Sequence, residues 1–118
     1  MNLEIIAHRG FSAIAPENTL AAFELAIARG ANSIEFDIQL SADSVPVIFH
    51  DATLDRITGV SGKVREKTCQ NCRHSMRVNG LAMNFPTKKS RFFLTCYAKL
   101  TIKMPRTANI YFCSFQSS

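Results

Sequence analysis

Apolar residues come first as a short run, Leu3 to Ala7, which predicts a buried strand and stops at His8-Arg9-Gly10. Gly10, Ser12 and Pro16 mark a loop. Asn18 or Thr19 is then placed to cap a helix running to about Arg29, with Leu20, Phe23 and Ile27 along one face and alanines between them. Gly30 is suited to the left-handed conformation that closes such a helix. Strand, loop, helix and turn make half of a βαβ unit.

Ser33 to Leu40 changes period: Ile34, Phe36 and Ile38 fall on one face and Glu35, Asp37 and Gln39 on the other. Two carboxylates therefore share one side of a predicted strand. Ala42-Asp43-Ser44 predicts a turn, and Val45 to Phe49 a further strand that runs into His50-Asp51, with Pro46 favouring an edge or irregular position. Residues 53–56 read as an ordered loop and 58–62 as a turn, and no internal repeat is present. After Thr68 neither a period of two nor one of 3.6 is sustained, so the tail is expected to be irregular.

Charge sharpens that division. The 118 residues carry a net charge of +5, but residues 1–68 hold all nine acids against six bases, whereas residues 69–118 hold eight bases and no acid. With 47% hydrophobic residues, the length allows one domain rather than two. Cys69, Cys72, Cys96 and Cys113 all lie in the basic part. No basic n-region and apolar h-region opens the chain, so the expectation is a cytoplasmic, reducing location without a disulfide framework. No apolar stretch reaches the ~18–20 residues of a membrane span.

The candidate chemistry lies at the predicted strand ends. His8 and Arg9 follow one strand, His50 and Asp51 another, and Glu35 and Asp37 project from the strand between them. Paired carboxylates suit a hard divalent cation such as Mg²⁺ or Ca²⁺; an arginine suits bidentate contact with a phosphate; two histidines suit general acid–base work. Each feature alone has a plainer interpretation. A single histidine at a strand end is more often structural, Glu35 and Asp37 could be the solvated face of an amphipathic strand, and Glu17-Asn18 could simply start a helix. Their occurrence together and in order favours a phosphodiester site.

The segments Ala7-His8-Arg9-Gly10, Pro16-Glu17-Asn18-Thr19-Leu20, Gly30 to Asp37, Val45 to Asp51, Leu54-Asp55-Arg56 and Thr58-Gly59 resemble the opening of the glycerophosphodiester phosphodiesterase family over about residues 3–68. The resemblance implies an α/β fold, the N-terminal fragment of a (β/α)8 TIM barrel, followed by an irregular, non-native-looking C-terminal tail. It implies metal-dependent hydrolysis of a small-molecule glycerophosphodiester to an alcohol and glycerol 3-phosphate; within the enzyme class, related lipases of the phospholipase D toxin type share this site chemistry. By the same resemblance His8 and His50 are the acid–base pair, Arg9 contacts the substrate phosphate, and Glu35 and Asp37 are metal ligands. A further glutamate ligand comes from a later strand in that family, and this chain has no glutamate after Glu66. Residues 1–68 are thus expected to be the opening β/α units, and the 118-residue chain by itself to be truncated and inactive.

The family continues after the position of Thr68 with Asp-Ala-Gly and Ile-Pro segments. Codons permitted for residues 69–100, read in the alternative frame, can yield both segments at family spacing, and Met83 before Asn84 forces a glutamate there. Residues 69–118 are therefore expected to be a poorly structured product of a frameshift near codons 68–69. The alternative is a small non-catalytic phosphate- or nucleic-acid-binding protein that uses the basic tail. Nucleic acid is disfavoured because no fold signature accompanies the basic and aromatic residues. Cys69, Cys72 and His74 amount to half a zinc site, without a second close pair.

Overall fold

The computed structural model describes residues 3–78 and 109–115. The elements are β1 (Ile6–His8), α1 (Leu20–Ala28), β2 (Ser33–Leu40), β3 (Pro46–Ile48), α2 (Asp55–Thr58), a 3₁₀ turn at Val64–Glu66, α3 (Cys69–Val78) and β4 (Asn109–Phe115). All four strands join one sheet, in which β2 pairs with each of the others. β1 and β4 run parallel to β2, and β3 antiparallel.

β2 is buried on both faces over most of its length. Ile34 and Phe36 enter a core with Leu20 and Phe23 of α1 and Ile48 of β3. The opposite face, Glu35, Asp37 and Gln39, is buried too, at 6%, 5% and 7% exposure. The solvated-face interpretation of the two carboxylates is thereby excluded. Burying polar groups on a strand interior is costly unless something satisfies them, so this face marks a site rather than a surface.

α1 forms where its apolar spacing and cap place it. Thr19 is the N-cap: its hydroxyl donates to the Pro16 carbonyl (2.6 Å) and accepts from the Ala22 amide (3.2 Å). Thr19→Ala removes both bonds inside a buried turn and is expected to cost about 1–2 kcal/mol, measured as a shift in the urea unfolding midpoint.

β1 differs from the expected buried strand. It spans only Ile6–His8, and Leu3 is 81% exposed, with Ile5 and Ile6 also exposed. Ala7 packs toward the core, while Ile6 and His8 alternate to the open face. The run is apolar, but nothing among the described residues covers that face.

β3 alternates between two cores. Ile48 joins the first, whereas Val47 and Phe49 pack with Leu54, Val64, Cys69 and Cys72. Pro46 stands exposed at the first position of β3, where a missing amide costs no ladder bond.

The second core continues past residue 68. α3 begins at Cys69, and Cys69, Cys72 and Ser75, spaced by three, are buried. Its first turn is capped from two directions: Asp43 Oδ1 accepts from the Cys69 amide (2.9 Å), and Thr68 Oγ1 from the Asn71 amide (3.2 Å). The apolar stripe is short and mixed with polar residues, so helical periodicity is faint until β3 and α2 supply its partner. The thiols serve as core groups. Burial pushes the Cys72 thiol up to about 11, while His74 lies exposed on the same helix, so the half zinc site is not assembled. β4 likewise places regular structure within the segment expected to be irregular. Cys96, most of the basic and aromatic tail, and residues 116–118 lie outside the described residues.

Candidate active site

The site lies where β1 and β3 meet the middle of β2 from opposite directions. Parallel pairing sets His8 opposite Glu35. Antiparallel pairing continues past Ile48, so the Phe49 amide donates to the Asp37 carbonyl (3.0 Å) and His50 follows directly. Both histidines are thus delivered to the stretch of β2 that bears the carboxylates. Convergence arises from one parallel and one antiparallel neighbour, not from the carboxyl ends of parallel strands alone.

The loop after β1 is tightly shaped. Arg9 adopts φ 58°, a left-handed conformation that costs a non-glycine residue energy, and its amide donates to the Glu35 carbonyl (2.8 Å). Gly10 follows at φ 83°, packed against Ala22 of α1. Asn18, also left-handed at φ 56°, closes the loop by donating its amide to the Arg9 carbonyl (3.0 Å). Two strained residues joined by a backbone bond suggest a local conformation held in place by the fold around it.

Arg9, Glu35 and Asp37 are brought together. Arg9 Nε stands 3.3 Å from Asp37 Oδ2, and His8 Nε2 stands 3.5 Å from Glu35 Oε2. Asn18, read from sequence only as a helix-start residue, enters the site as well: its Nδ2 donates to Asp37 Oδ2 (3.2 Å). Three buried oxygens here have no hydrogen-bond partner among the described residues: both carboxylate oxygens of Glu35 and Asn18 Oδ1. Orphaned hard-oxygen donors beside Asp37 fit a divalent cation. Among the described residues no group of three or more His, Cys, Asp and Glu side chains forms a complete metal site.

His50 does not touch these groups directly. Gln39, the third polar residue on the buried face of β2, reaches the carbonyls of Phe49, His50 and Asp51 with its Nε2 (2.8, 3.0 and 2.6 Å) and so fixes the segment that bears it. The His50 Nδ1 lies 2.8 Å from Asp51 Oδ1. Arg56 grips Asp51 with two bonds, Nε to Oδ2 (2.7 Å) and Nη2 to Oδ1 (2.8 Å), and grips Glu17 with two more (2.6 and 3.3 Å). Glu17 in turn accepts from Arg9 Nη1 (3.3 Å). A continuous run of opposite charges therefore links His50 to Asp37. Sequence spacing gave no hint of it, because Arg56 and Glu17 are 39 residues apart.

The electrostatics follow from these contacts. Hydrogen bonds from Arg56 hold the Asp51 carboxyl well below the usual carboxylate range; burial opposes this and His50 adds to it. Burial pushes the Glu17 carboxyl up, but the bonds and charges of Arg56 and Arg9 outweigh it and leave a net lowering. Both shifts imply that the unfolded chain binds more protons than the folded one in mildly acidic solution. The stability they contribute is complete above the ordinary carboxylate values of ~4 and is lost as pH falls below that range. Thermal melts from pH 7 downward are expected to keep a constant midpoint until about pH 5 and then drop, less steeply in Arg56→Gln than in the parent. A midpoint that rises toward pH 3 would contradict the network.

Comparisons with known proteins extend the same picture. The sequence pattern of the Glycerophosphoryl diester phosphodiesterase family matches residues 8–113. Glycerophosphodiester phosphodiesterase 1 of Bos taurus is 42% identical over 86 residues, which is 71% of this chain and 26% of that protein. Among solved structures, the glycerophosphoryl diester phosphodiesterase domain of a Mycobacterium tuberculosis protein superposes with a TM-score of 0.78 at 25% identity, over 98% of this chain and 44% of that one. An Oleispira antarctica phosphodiesterase in complex with the product sn-glycerol-3-phosphate superposes with a TM-score of 0.58 at 44% identity, over 60% of this chain and 29% of that one. The chain thus spans about a quarter of the length of the curated relatives it matches. With His8, Arg9, Glu35, Asp37 and His50 all inside the matched span, the chain belongs to the glycerophosphoryl diester phosphodiesterase family.

Proposed function

We propose that this chain carries the opening part of a (β/α)8 barrel phosphodiesterase, with much of its site, for hydrolysis of a glycerophosphodiester to an alcohol and glycerol 3-phosphate. The observation that carries this is the buried face of β2, where the unpartnered oxygens of Glu35 stand beside Asp37, Arg9 and Asn18. Glu35 and Asp37 would hold a divalent cation such as Mg²⁺ or Ca²⁺. When bound, that ion supplies polarisation of a phosphoryl oxygen.

The other residues do the binding and proton handling. Arg9, ion-paired with Asp37 and hydrogen-bonded through Nη1 to Glu17, presents its guanidinium to a phosphate. His8 and His50 form the acid–base pair. One accepts the proton of the attacking water and the other returns a proton to the departing alkoxide. The contact of His50 Nδ1 with Asp51 leaves its Nε2 free for that transfer.

The 118 residues contain no glutamate after Glu66 to act as a third carboxylate ligand, and we assign negligible hydrolysis to this chain by itself. The test has two arms, alcohol release from a glycerophosphodiester with Mg²⁺ or Ca²⁺ present, and the shift in melting temperature on adding either ion. Absence of turnover together with a cation-dependent stabilisation is expected. Sustained turnover would overturn the assigned inactivity, and the lack of any cation effect would overturn the metal assignment. We also retain the frameshift as the origin of residues 69–118, and sequencing the gene across codons 60–110 decides it: secure codons for those residues with a closed alternative frame would refute it.

A further inference from the structure

The run of charges between the two loops suggests a role for a residue that touches neither the carboxylates of β2 nor a histidine. Arg56, in the single-turn α2, makes two hydrogen bonds to Asp51 and two to Glu17. Asp51 belongs to the segment after β3 that bears His50, and Glu17 to the loop after β1 that bears Arg9. The planar fork of a guanidinium matches two carboxylates at once, one on each edge, in a way that an ammonium cannot. The carboxylate of Asp51 is an acceptor only, so the nitrogen of His50 that faces it at 2.8 Å must carry the hydrogen. That contact selects one tautomer of the neutral ring, and the orientation of the carboxylate is fixed by the fork of Arg56.

We propose that Arg56 is a positioning residue that ties the His50 segment to the Arg9 loop through Asp51 and Glu17 and holds neutral His50 with Nδ1 protonated and Nε2 free. This rests on the function proposed above for His50, but the contact geometry stands whether or not hydrolysis is observed. By this assignment Glu17 influences His50 without touching it.

The test is the tautomer ratio of His50 in the ¹⁵N-labelled full chain, read from the shifts of its two ring nitrogens at a pH about two units above the ordinary histidine value of ~6.5. His74, exposed on α3, serves as internal reference. In the parent, His50 is expected to favour the Nδ1-protonated form, contrary to free imidazole side chains, which favour Nε2. Arg56→Gln, Arg56→Lys and Glu17→Gln are each expected to lower the ratio of Nδ1-H to Nε2-H by a factor of roughly 2–10, the worth of one net hydrogen bond. Asp51→Ala sets the limit of the change. Arg56→Lys keeps the charge and lacks the fork, so it separates orientation from electrostatics. A parent His50 with the ratio of free histidine overturns the proposal. So does a His50 unmoved by both Arg56→Gln and Glu17→Gln, and so does loss of a dispersed spectrum in all three variants, which would make the network a support of the fold alone. Because no substrate enters the measurement, failure of the hydrolysis reading leaves it intact.

Discussion

Gly10→Ala is expected to destabilise the chain by about 2–5 kcal/mol, the sum of two separate costs. An added Cβ at residue 10 would lie 2.7 Å from both the Cβ and the carbonyl carbon of Ala22 and 2.9 Å from its oxygen, so helix α1 would have to move away from the loop. Overpacking of that kind costs ~1–3 kcal/mol, and holding an L-residue at φ 83° costs a further ~1–2 kcal/mol. Moving α1 also endangers the bond from the Phe11 amide to the Ala22 carbonyl (2.9 Å), and with it the geometry of Arg9. Gly30→Ala is the control. Its φ of 95° imposes the same conformational cost, but nothing lies within 4 Å of its added Cβ. Urea unfolding of the two variants is expected to show Gly10→Ala losing the more stability by ~1–3 kcal/mol. Equal losses would mean that the close approach to Ala22 carries no weight.

Glu35→Gln is expected to move stability in opposite directions with and without a cation. In the metal-free chain the substitution removes a buried charge whose oxygens have no hydrogen-bond partner among the described residues. His8 at 3.5 Å offsets little of that cost, because its side chain is 69% exposed. A gain on the order of 1–2 kcal/mol follows. In the parent, a cation held by Glu35 and Asp37 at a hundredfold excess over its dissociation constant would add about 2.7 kcal/mol by mass action. Glu35→Gln is expected to erase that increment. Melting curves of both chains, with and without Mg²⁺ or Ca²⁺, should therefore cross in rank order. If the variant is less stable than the parent without cation, the carboxylate is satisfied in some other way; if it responds to cation as the parent does, Glu35 is not a ligand.

The two predictions describe one trade. A face of β2 that could have been filled with aliphatic side chains carries Glu35, Asp37 and Gln39 instead, and the loop against it holds two non-glycine residues in the left-handed region. Local stability is lower than this backbone could provide, and the same features supply preorganised donors and acceptors. α1 and the two apolar cores supply the rigidity that keeps them in place.

By itself, the sequence determined α1 and β2 and named candidates for the site. Period and capping placed the start of α1 at Asn18 or Thr19 and its end near Gly30, and strict alternation placed Glu35 and Asp37 on one side of β2, because both signals depend only on neighbours along the chain. His8, Arg9 and His50 were visible at strand ends for the same reason. Tertiary structure decided the rest. It buried the polar face of β2, which alternation alone leaves open to water, and made Gln39 a clamp on the His50 segment. The apolar run from Leu3 came out exposed, since burial depends on what lies opposite. Ordering of α3 came from a core to which β3 and α2 contribute the other half. It also gave Asn18, Glu17, Asp51 and Arg56 their places: a charge pair 39 residues apart has no signature in periodicity or spacing, and exists only once the β1 and β3 loops are brought to the same edge of β2.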